Sequence, residues 1–286
     1  MSDANPRTWS GPNRTGKIQV NRIGRPARRI LAVSRTEDLT PRYRRIYLQG
    51  DDLNDGFPFM NMAANDHVKV LFPQPDTGEL VIPTRTEAGW SVPDGSPAPI
   101  MRDFTVRGWL PDSRELILDF VVHGSGIASN WAGSAKAGDQ LGIMGPRGNV
   151  ILPENYATYL LVGDETAIPA FGRLLEELPE DARIQLIVLA DDESGRQNLA
   201  DRPGTVASWL YRSAESQGSL ERAVRAASLP DGQDWFVFAA GEVGELKPVR
   251  DYFRQELGLP KERVMVSGYW QLGVVNLDHH NTGIED

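Results

Sequence analysis

The sequence predicts two domains of different class, a six-stranded antiparallel β barrel followed by an α/β domain built on a parallel sheet. Three observations predict it. The first half holds about six short β-prone runs, with turn-rich pieces rather than helices between them. The pattern changes after Gly145-Pro146-Arg147-Gly148. Beyond that point, short apolar strands alternate with helical stripes, the signature of βαβ units.

The barrel strands are read at Ala27 to Thr36, Tyr43 to Gln49, His67 to Phe72, Arg102 to Gly108, Glu115 to Val122 and Gln140 to Met144. Turn-rich stretches such as Asp51 to Gly56 and Pro93 to Pro97 separate them. In the second half, Tyr159 to Val162 is an apolar strand ending at Gly163. Ile168, Phe171, Leu174, Leu175 and Leu178 then form a helical stripe. Ile184 to Leu189, Trp235 to Ala239 and Val264 to Ser267 are further strands. Leu220 to Ala227 reads as a helix, and Leu246, Val249, Phe253 and Leu257 mark one face of another. The expected organisation is a basic leader over residues 1–26, the barrel over 27–152 and the α/β domain over 153–286.

At 286 residues the chain is comfortable for two cores. It has no cysteine, which excludes structural disulfides, thiol nucleophiles, CxxC zinc sites and an iron–sulfur cluster held by its own thiolates. Redox chemistry must therefore use an organic cofactor. No apolar run approaches the roughly 20 residues that span a bilayer. The leader has no apolar signal core, and together with the missing cysteines this fits the cytoplasm. A net charge of -9 argues against nucleic acid as a partner. The eight Lys and Arg residues up to Arg35, against the single acid Asp3, read as a solvated leader.

Three constellations carry chemistry. In Arg102-Asp103-Phe104-Thr105-Val106-Arg107, strand alternation puts Arg102, Phe104 and Val106 on one face. An aromatic ring, a hydroxyl and a guanidinium suit the ring, ribityl chain and pyrophosphate of a flavin dinucleotide. Alone, the same residues equally describe a mixed strand with solvated arginines. In Asp119 to Trp131, a strand runs into a glycine turn and Ser129 opens a short helix, whose free amides suit a pyrophosphate. Ser129 is equally a plain N-cap, and His123 reads as structural. In Gly163-Asp164-Glu165-Thr166-Ala167, the first strand of the α/β domain meets its helix, where a nucleotide crosses a sheet edge. The G-x-G-x-x-G fingerprint is missing, and two acids would repel a pyrophosphate. Ala239-Ala240-Gly241-Glu242 offers a second small-residue approach.

Taken in order, Arg-x-Phe-Thr-x-Arg, Asp-Phe-Val-Val-His-Gly, Trp-Ala, Gly-Pro-Arg-Gly, Gly-Asp-Glu-Thr-Ala-Ile-Pro-Ala, Ala-Gly-Glu and Ser267-Gly268-Tyr269-Trp270 resemble the siderophore-interacting protein family from about Ala27 to Gly273. These are NAD(P)H-dependent ferric-siderophore reductases related to ferredoxin-NADP reductase. The resemblance implies an FAD-binding barrel and a nicotinamide-binding α/β domain. Arg102, Phe104, Thr105 and Val106 fall on its flavin strand, where the family usually has tyrosine at the Phe104 position. Asp119, Val121, His123, Ala128, Ser129 and Trp131 fall on its second flavin segment. Asp164, Glu165, Thr166 and Ala167 fall on its nucleotide segment, with Gly241 and Glu242 facing it.

The implied substrate is a ferric siderophore, with Lys69 and Arg147 where the family places cations; a solvated lysine and a turn arginine are the alternative. Gln271 replaces a usual base after Gly-Tyr-Trp, which points to a less negative chelate or a different docking. The implied reaction passes electrons from NADH or NADPH through FAD to chelated Fe(III), with no side chain as catalytic acid or base. Asp191-Asp192-Glu193 favours a free ribose hydroxyl and hence NADH, while Arg196 can pair with a 2′-phosphate. Two alternatives stand: a general flavin or ferredoxin-type reductase, and a siderophore-binding protein without reductase activity. A monomer is expected, and His279-His280 reads as a tail without function.

Overall fold

The computed structural model describes residues 11–24, 26–86, 89–212, 218–274, 277 and 283–284. His279 and His280 lie outside them. The described residues form two compact units, one from 21–60 and 66–149, the other from 11–20, 61–65 and 150 onward.

In the first unit, alternating apolar residues build one antiparallel sheet of seven strands, one more than expected. Their order is Ile100–Thr105, His67–Phe72, Gln140–Met144, Arg28–Thr40, Tyr43–Gln49, Glu115–Val121 and Gly108–Leu110. The extra strand arises because the expected Arg102 to Gly108 run breaks. The Val106 amide donates to Asp66 (2.9 Å) and the Arg107 amide to Ile117 (3.0 Å), so the chain leaves one ladder and joins another. Register shifts between Val33 and Arg35 and between Asp38 and Thr40 let the long Arg28–Thr40 strand bend. The curled sheet encloses Leu31, Ile46, Leu48, Val68, Val70, Phe72, Leu116, Leu118, Leu141 and Ile143. Helix Ile127–Ser134 lays Ile127, Ala128, Trp131 and Ala132 against this core. Arg44 fastens the far end of the helix, donating to the Ala132 (3.0 Å) and Gly133 (2.8 Å) carbonyls of its last turn.

The second unit is a parallel five-stranded sheet in the order Thr205–Tyr211, Arg183–Ala190, Thr158–Asp164, Trp235–Glu242 and Val264–Trp270. The four expected strands are present. The fifth, Thr205–Tyr211, lies at the sheet edge, and its half-exposed mixture of polar and apolar side chains gives no clear period. Helices Ile168–Glu177, Ser219–Ala226 and Val243–Asp251 connect the strands. The last continues into a wide turn over Tyr252–Glu256, which buries Phe253 but turns Leu257 out to solvent, against expectation.

Within the expected leader, Arg14 and Lys17 are exposed as a solvated stretch would be, but residues 11–17 are anchored at Asn13. Asn13 is fully buried; its side chain donates to the carbonyls of Lys17 (2.9 Å) and Ile151 (3.1 Å), while its backbone amide donates to Glu154 (2.7 Å). Residues 61–65 likewise pack within the second unit. Buried Arg173 donates to the Ala63 carbonyl (2.7 Å) and pairs with Glu177 (2.8 Å), whose carboxylate accepts the Met62 amide. Tyr269 donates to Asn65 (2.9 Å).

Packing at the centre of the parallel sheet admits no side chain at Gly163. A Cβ there would sit 2.1 Å from the Ala240 carbonyl oxygen and 3.0 Å from the Ala167 Cβ. Gly163→Ala is therefore expected to lower the free energy of unfolding by at least about 3 kcal/mol. Gly133→Ala, inside a helix with only ordinary contact to Val122 at 3.6 Å, is expected to raise it by up to about 1 kcal/mol. Urea unfolding of the two variants checks both signs.

Candidate active site

The flavin-like strand is Ile100–Thr105, paired with His67–Phe72 so that Val68 faces Phe104, Val70 faces Arg102 and Lys69 faces Asp103. Phe104 and Arg102 thus share the core-facing side with Val68 and Val70, as alternation predicts. The half-buried Phe104 ring stacks at 38° on Phe120, centroids 4.3 Å apart. Phe120 and Phe72 in turn hold Trp131 of the short helix, at 5.9 and 5.7 Å. One aromatic cluster therefore fixes both flavin-like segments. Arg102 donates to the neighbouring Met101 carbonyl (2.6 Å) and meets no carboxylate among the described residues. The Thr105 hydroxyl, nearly buried, makes no hydrogen bond to them either. Val106 is buried in the core, with its amide spent on Asp66.

On the second segment, the helix opens at Ile127, two residues earlier than expected, so Ser129 lies inside its first turn. Ser129 is no N-cap: its hydroxyl accepts the His123 amide (2.9 Å) and ties the turn shut. No side chain caps the helix, and the amides of Ile127, Ala128 and Ser129 have no intrahelical acceptor. Gly124 and Gly126, both with positive φ (70° and 81°), bring the backbone into this turn. His123 is exposed and bonded to Ser125 (3.0 Å), consistent with a structural role. Val121 ends its strand half-buried. Asp119 is buried on the face opposite the core residues Leu118 and Phe120 and is gripped by both arms of Arg45 (2.8 and 2.9 Å), with Arg107 at 3.8 Å. Burial alone would lower the Arg45 pKa, but the Asp119 bonds more than reverse this and hold it above the usual arginine value. Asp119 therefore braces the strands.

These donors suit an anionic flavin dinucleotide. Open helix amides with glycines beside them accept a pyrophosphate, and an arginine without a carboxylate supplies charge. A hydroxyl and an aromatic ring complete the set. The two cations expected at a substrate site differ: Lys69 is held by both oxygens of Asp103 (2.9 and 3.0 Å), whereas Arg147 is exposed and has no acid partner among the described residues.

At the carboxyl edge of the parallel sheet, the acids turn inward. Asp164, 2% exposed, accepts from the Thr166 amide (2.9 Å) and hydroxyl (2.6 Å), the Glu242 amide (2.8 Å) and the Trp270 indole N–H (2.8 Å). Arg212 adds an ion pair at 3.5 Å. The expected repulsion of a phosphate by Asp164 is thereby quenched within the protein. Glu165 is buried and Ala167 fully so. Glu242 caps helix Val243–Asp251 through the Glu245 amide (2.8 Å) and also accepts from the Leu272 amide (3.1 Å), which fixes the turn carrying exposed Gln271. Gly241, at φ 140°, has no room for a Cβ: it would stand 2.7 Å from the Asp164 carboxyl.

Arg45 and Arg212 were missed by sequence reasoning. Cross-strand registry of Arg45 with Asp119 requires the strand order, and Arg212 follows the strand that was not recognised.

Comparisons with known proteins show the family to which the chain is similar. Residues 32–150 match the model of the siderophore-interacting FAD-binding domain, and residues 156–273 that of the siderophore-interacting protein family. The chain is 36% identical over 247 residues to the NADPH-dependent ferric-chelate reductase of Escherichia coli, covering 85% of this chain and 92% of that one. It is 32% identical over 256 residues to the ferric vibriobactin reductase ViuB of Vibrio cholerae, covering 88% and 93%. A crystal structure of a siderophore utilization protein from T. fusca superposes with a TM-score of 0.82 at 40% identity, covering 92% of this chain and all of that one.

Asp164→Asn would turn an amide donor toward the groups that now donate to the carboxylate, and would leave Arg212 with less charge to meet. Its expected cost is about 3–5 kcal/mol in unfolding free energy, read from the denaturant midpoint.

Proposed function

The chain belongs to the siderophore-interacting protein family, and from that premise we propose that it is a ferric-siderophore reductase, drawing electrons from NADH or NADPH through FAD. As an oxidoreductase it takes the net reaction of one reduced nicotinamide with two chelated Fe(III), giving two Fe(II), the oxidised nicotinamide and a proton. FAD, when bound, supplies the conversion between a two-electron hydride donor and a one-electron metal acceptor. Siderophores bind Fe(II) far more weakly than Fe(III), so the reduced metal is released.

The reading rests on Arg102, which meets no carboxylate among the described residues, and on Thr105, whose hydroxyl bonds none of them, both on a strand whose neighbouring aromatic cluster also seats an uncapped helix. Arg102 holds a pyrophosphate charge, Thr105 bonds a ribityl hydroxyl, and the amides of Ile127 and Ala128 receive phosphate oxygens. The Phe104 ring supports the flavin ring without the hydroxyl a tyrosine would bring. The Arg45–Asp119 pair keeps this frame rigid, and rigidity is the protein's main contribution where chemistry depends on alignment. On the second unit, the crest around Asp164, Thr166 and Gly241 receives the nicotinamide nucleotide. No side chain is assigned a proton transfer, because hydride and electron transfer through a flavin need none from the protein. The chelate meets a surface with little net positive charge, because Asp103 cancels Lys69 and Arg147 alone stays open.

The purified protein is expected to show a flavin spectrum that bleaches anaerobically with NADH or NADPH. Adding a ferric siderophore and an Fe(II) trap should restore the colour as Fe(II) appears. A colourless protein that takes up no added FAD would refute the reductase, and a flavoprotein that reduces dyes but shows no advantage with ferric siderophores would make it a general flavin reductase. Arg102→Ala removes a charge-assisted contact of about 1.5–3 kcal/mol, so FAD should bind roughly 10- to 100-fold more weakly. Flavin content after purification measures this, and unchanged content would remove Arg102 from the site.

A further inference from the structure

The reductase reading leaves open how the nucleotide domain tells NADH from NADPH. The two differ by one 2′-phosphate on the adenosine ribose. In open α/β sheets the ligand lies beyond the carboxyl ends of the strands, where the strand order reverses. Here the order reverses at Thr158–Asp164, since the chain runs outward to Arg183–Ala190 and Thr205–Tyr211, then returns to Trp235–Glu242 on the other side.

Two charged residues stand at that edge. Asp191 follows the end of Arg183–Ala190 and has a half-exposed side chain. Arg212 follows the end of Thr205–Tyr211, and its amide donates to the Ala190 carbonyl (2.8 Å), so backbone pairing sets it beside Asp191. Its guanidinium reaches Asp191 (3.2 Å) on one side and buried Asp164 (3.5 Å) on the other, lying 5.5 Å from the Trp270 ring centre. One arginine thus spans the crest and meets two carboxylates and an indole.

That commitment bears on the phosphate. A 2′-phosphate carries about two negative charges and is bound where arginine forks are available to it. Drawing Arg212 toward such a phosphate would strip buried Asp164 of its guanidinium, a costly exchange. The half of the chain that carries this edge is acidic overall, with 23 acids against 12 lysines and arginines from Val150 onward. Asp192 is occupied in its own turn, accepting the Ser194 amide (2.8 Å). Arg196, the other cation of this stretch, is exposed in water, where a single charge counts for little. A ribose diol, by contrast, needs only a carboxylate acceptor, which Asp191 provides.

Resting on the reductase reading, we propose that Asp191 and Arg212 form a selectivity pair: Asp191 accepts the free ribose diol, and by retaining Arg212 it denies that cation to a 2′-phosphate, so the protein selects NADH. This departs from the Escherichia coli relative, whose name specifies NADPH.

Calorimetric titration of the FAD-loaded protein with NAD+ and NADP+ tests the pair without depending on turnover. NAD+ is expected to bind at least about tenfold more tightly, and Asp191→Asn should bring the two within roughly threefold, chiefly by strengthening NADP+. Asp191→Ala should act in the same direction, and Arg196→Ala should leave the ratio unchanged. Equal affinities or an NADP+ preference in the parent protein would overturn the proposal. An unchanged ratio in both Asp191 variants would do so too, as would a selective loss of NADP+ binding in Arg196→Ala. Binding of neither nucleotide would overturn the nicotinamide-dependent reading itself, and the selectivity pair with it.

Discussion

A carboxylate buried at the carboxyl end of the central strand organises the second unit. Asp164 can be buried there only because donors converge on it from four places in the chain: its own turn at Thr166, the Glu242 amide, the Trp270 indole and Arg212. Each demand has a sequence consequence. The neighbouring Gly241 must lack a Cβ to leave the carboxyl space, and Gly163 must lack one so that the adjacent strand can close up. The Gly-Asp-Glu-Thr-Ala and Ala-Gly-Glu motifs, read separately as nucleotide contacts, are therefore two halves of one packing arrangement. The loops it fixes stand at the carboxyl edge of the sheet, where the nucleotide site is proposed.

The two units reach a similar end by opposite means. At the crest of the parallel sheet, polar groups are paired with one another and present a fixed outline. In the curled sheet the frame is equally tied, through Arg45 with Asp119 and Arg44 with the helix end, but Arg102 and Thr105 keep polar capacity in hand. A tightly held dinucleotide needs partners waiting for it, whereas a nucleotide that must leave after each turnover is better served by shape and weak polar contacts.

Much of this was legible in the sequence because it is local. Strand period, the switch from strands alone to strands alternating with helices, and the order of the short motifs all survive without a structure. The failures share a physical origin. Thr205–Tyr211 is an edge strand with neither face fully buried, so its side chains carry no clean period. Gly108–Leu110 exists because two backbone amides change partners, which composition does not record. Asp119 looked like a ligand residue because its partner, Arg45, lies 74 positions away and meets it only through strand registry. Asn13 looked solvated because polar side chains usually are, yet its amide fills a fully buried place among backbone carbonyls.

The short piece 61–65 interrupts the curled-sheet part of the sequence and packs with the parallel-sheet part, as residues 11–20 do. A helix arginine and its glutamate are satisfied by that piece, and a buried asparagine by the first stretch. The chain therefore cannot be divided into two self-sufficient modules by a single break near Val150. A fragment starting there would lack the carbonyl that its buried Arg173 requires. Exchange of this nucleotide-binding half between related reductases would succeed only if the transplanted piece travelled with both remote segments, which makes the two halves inherit together despite their separate cores.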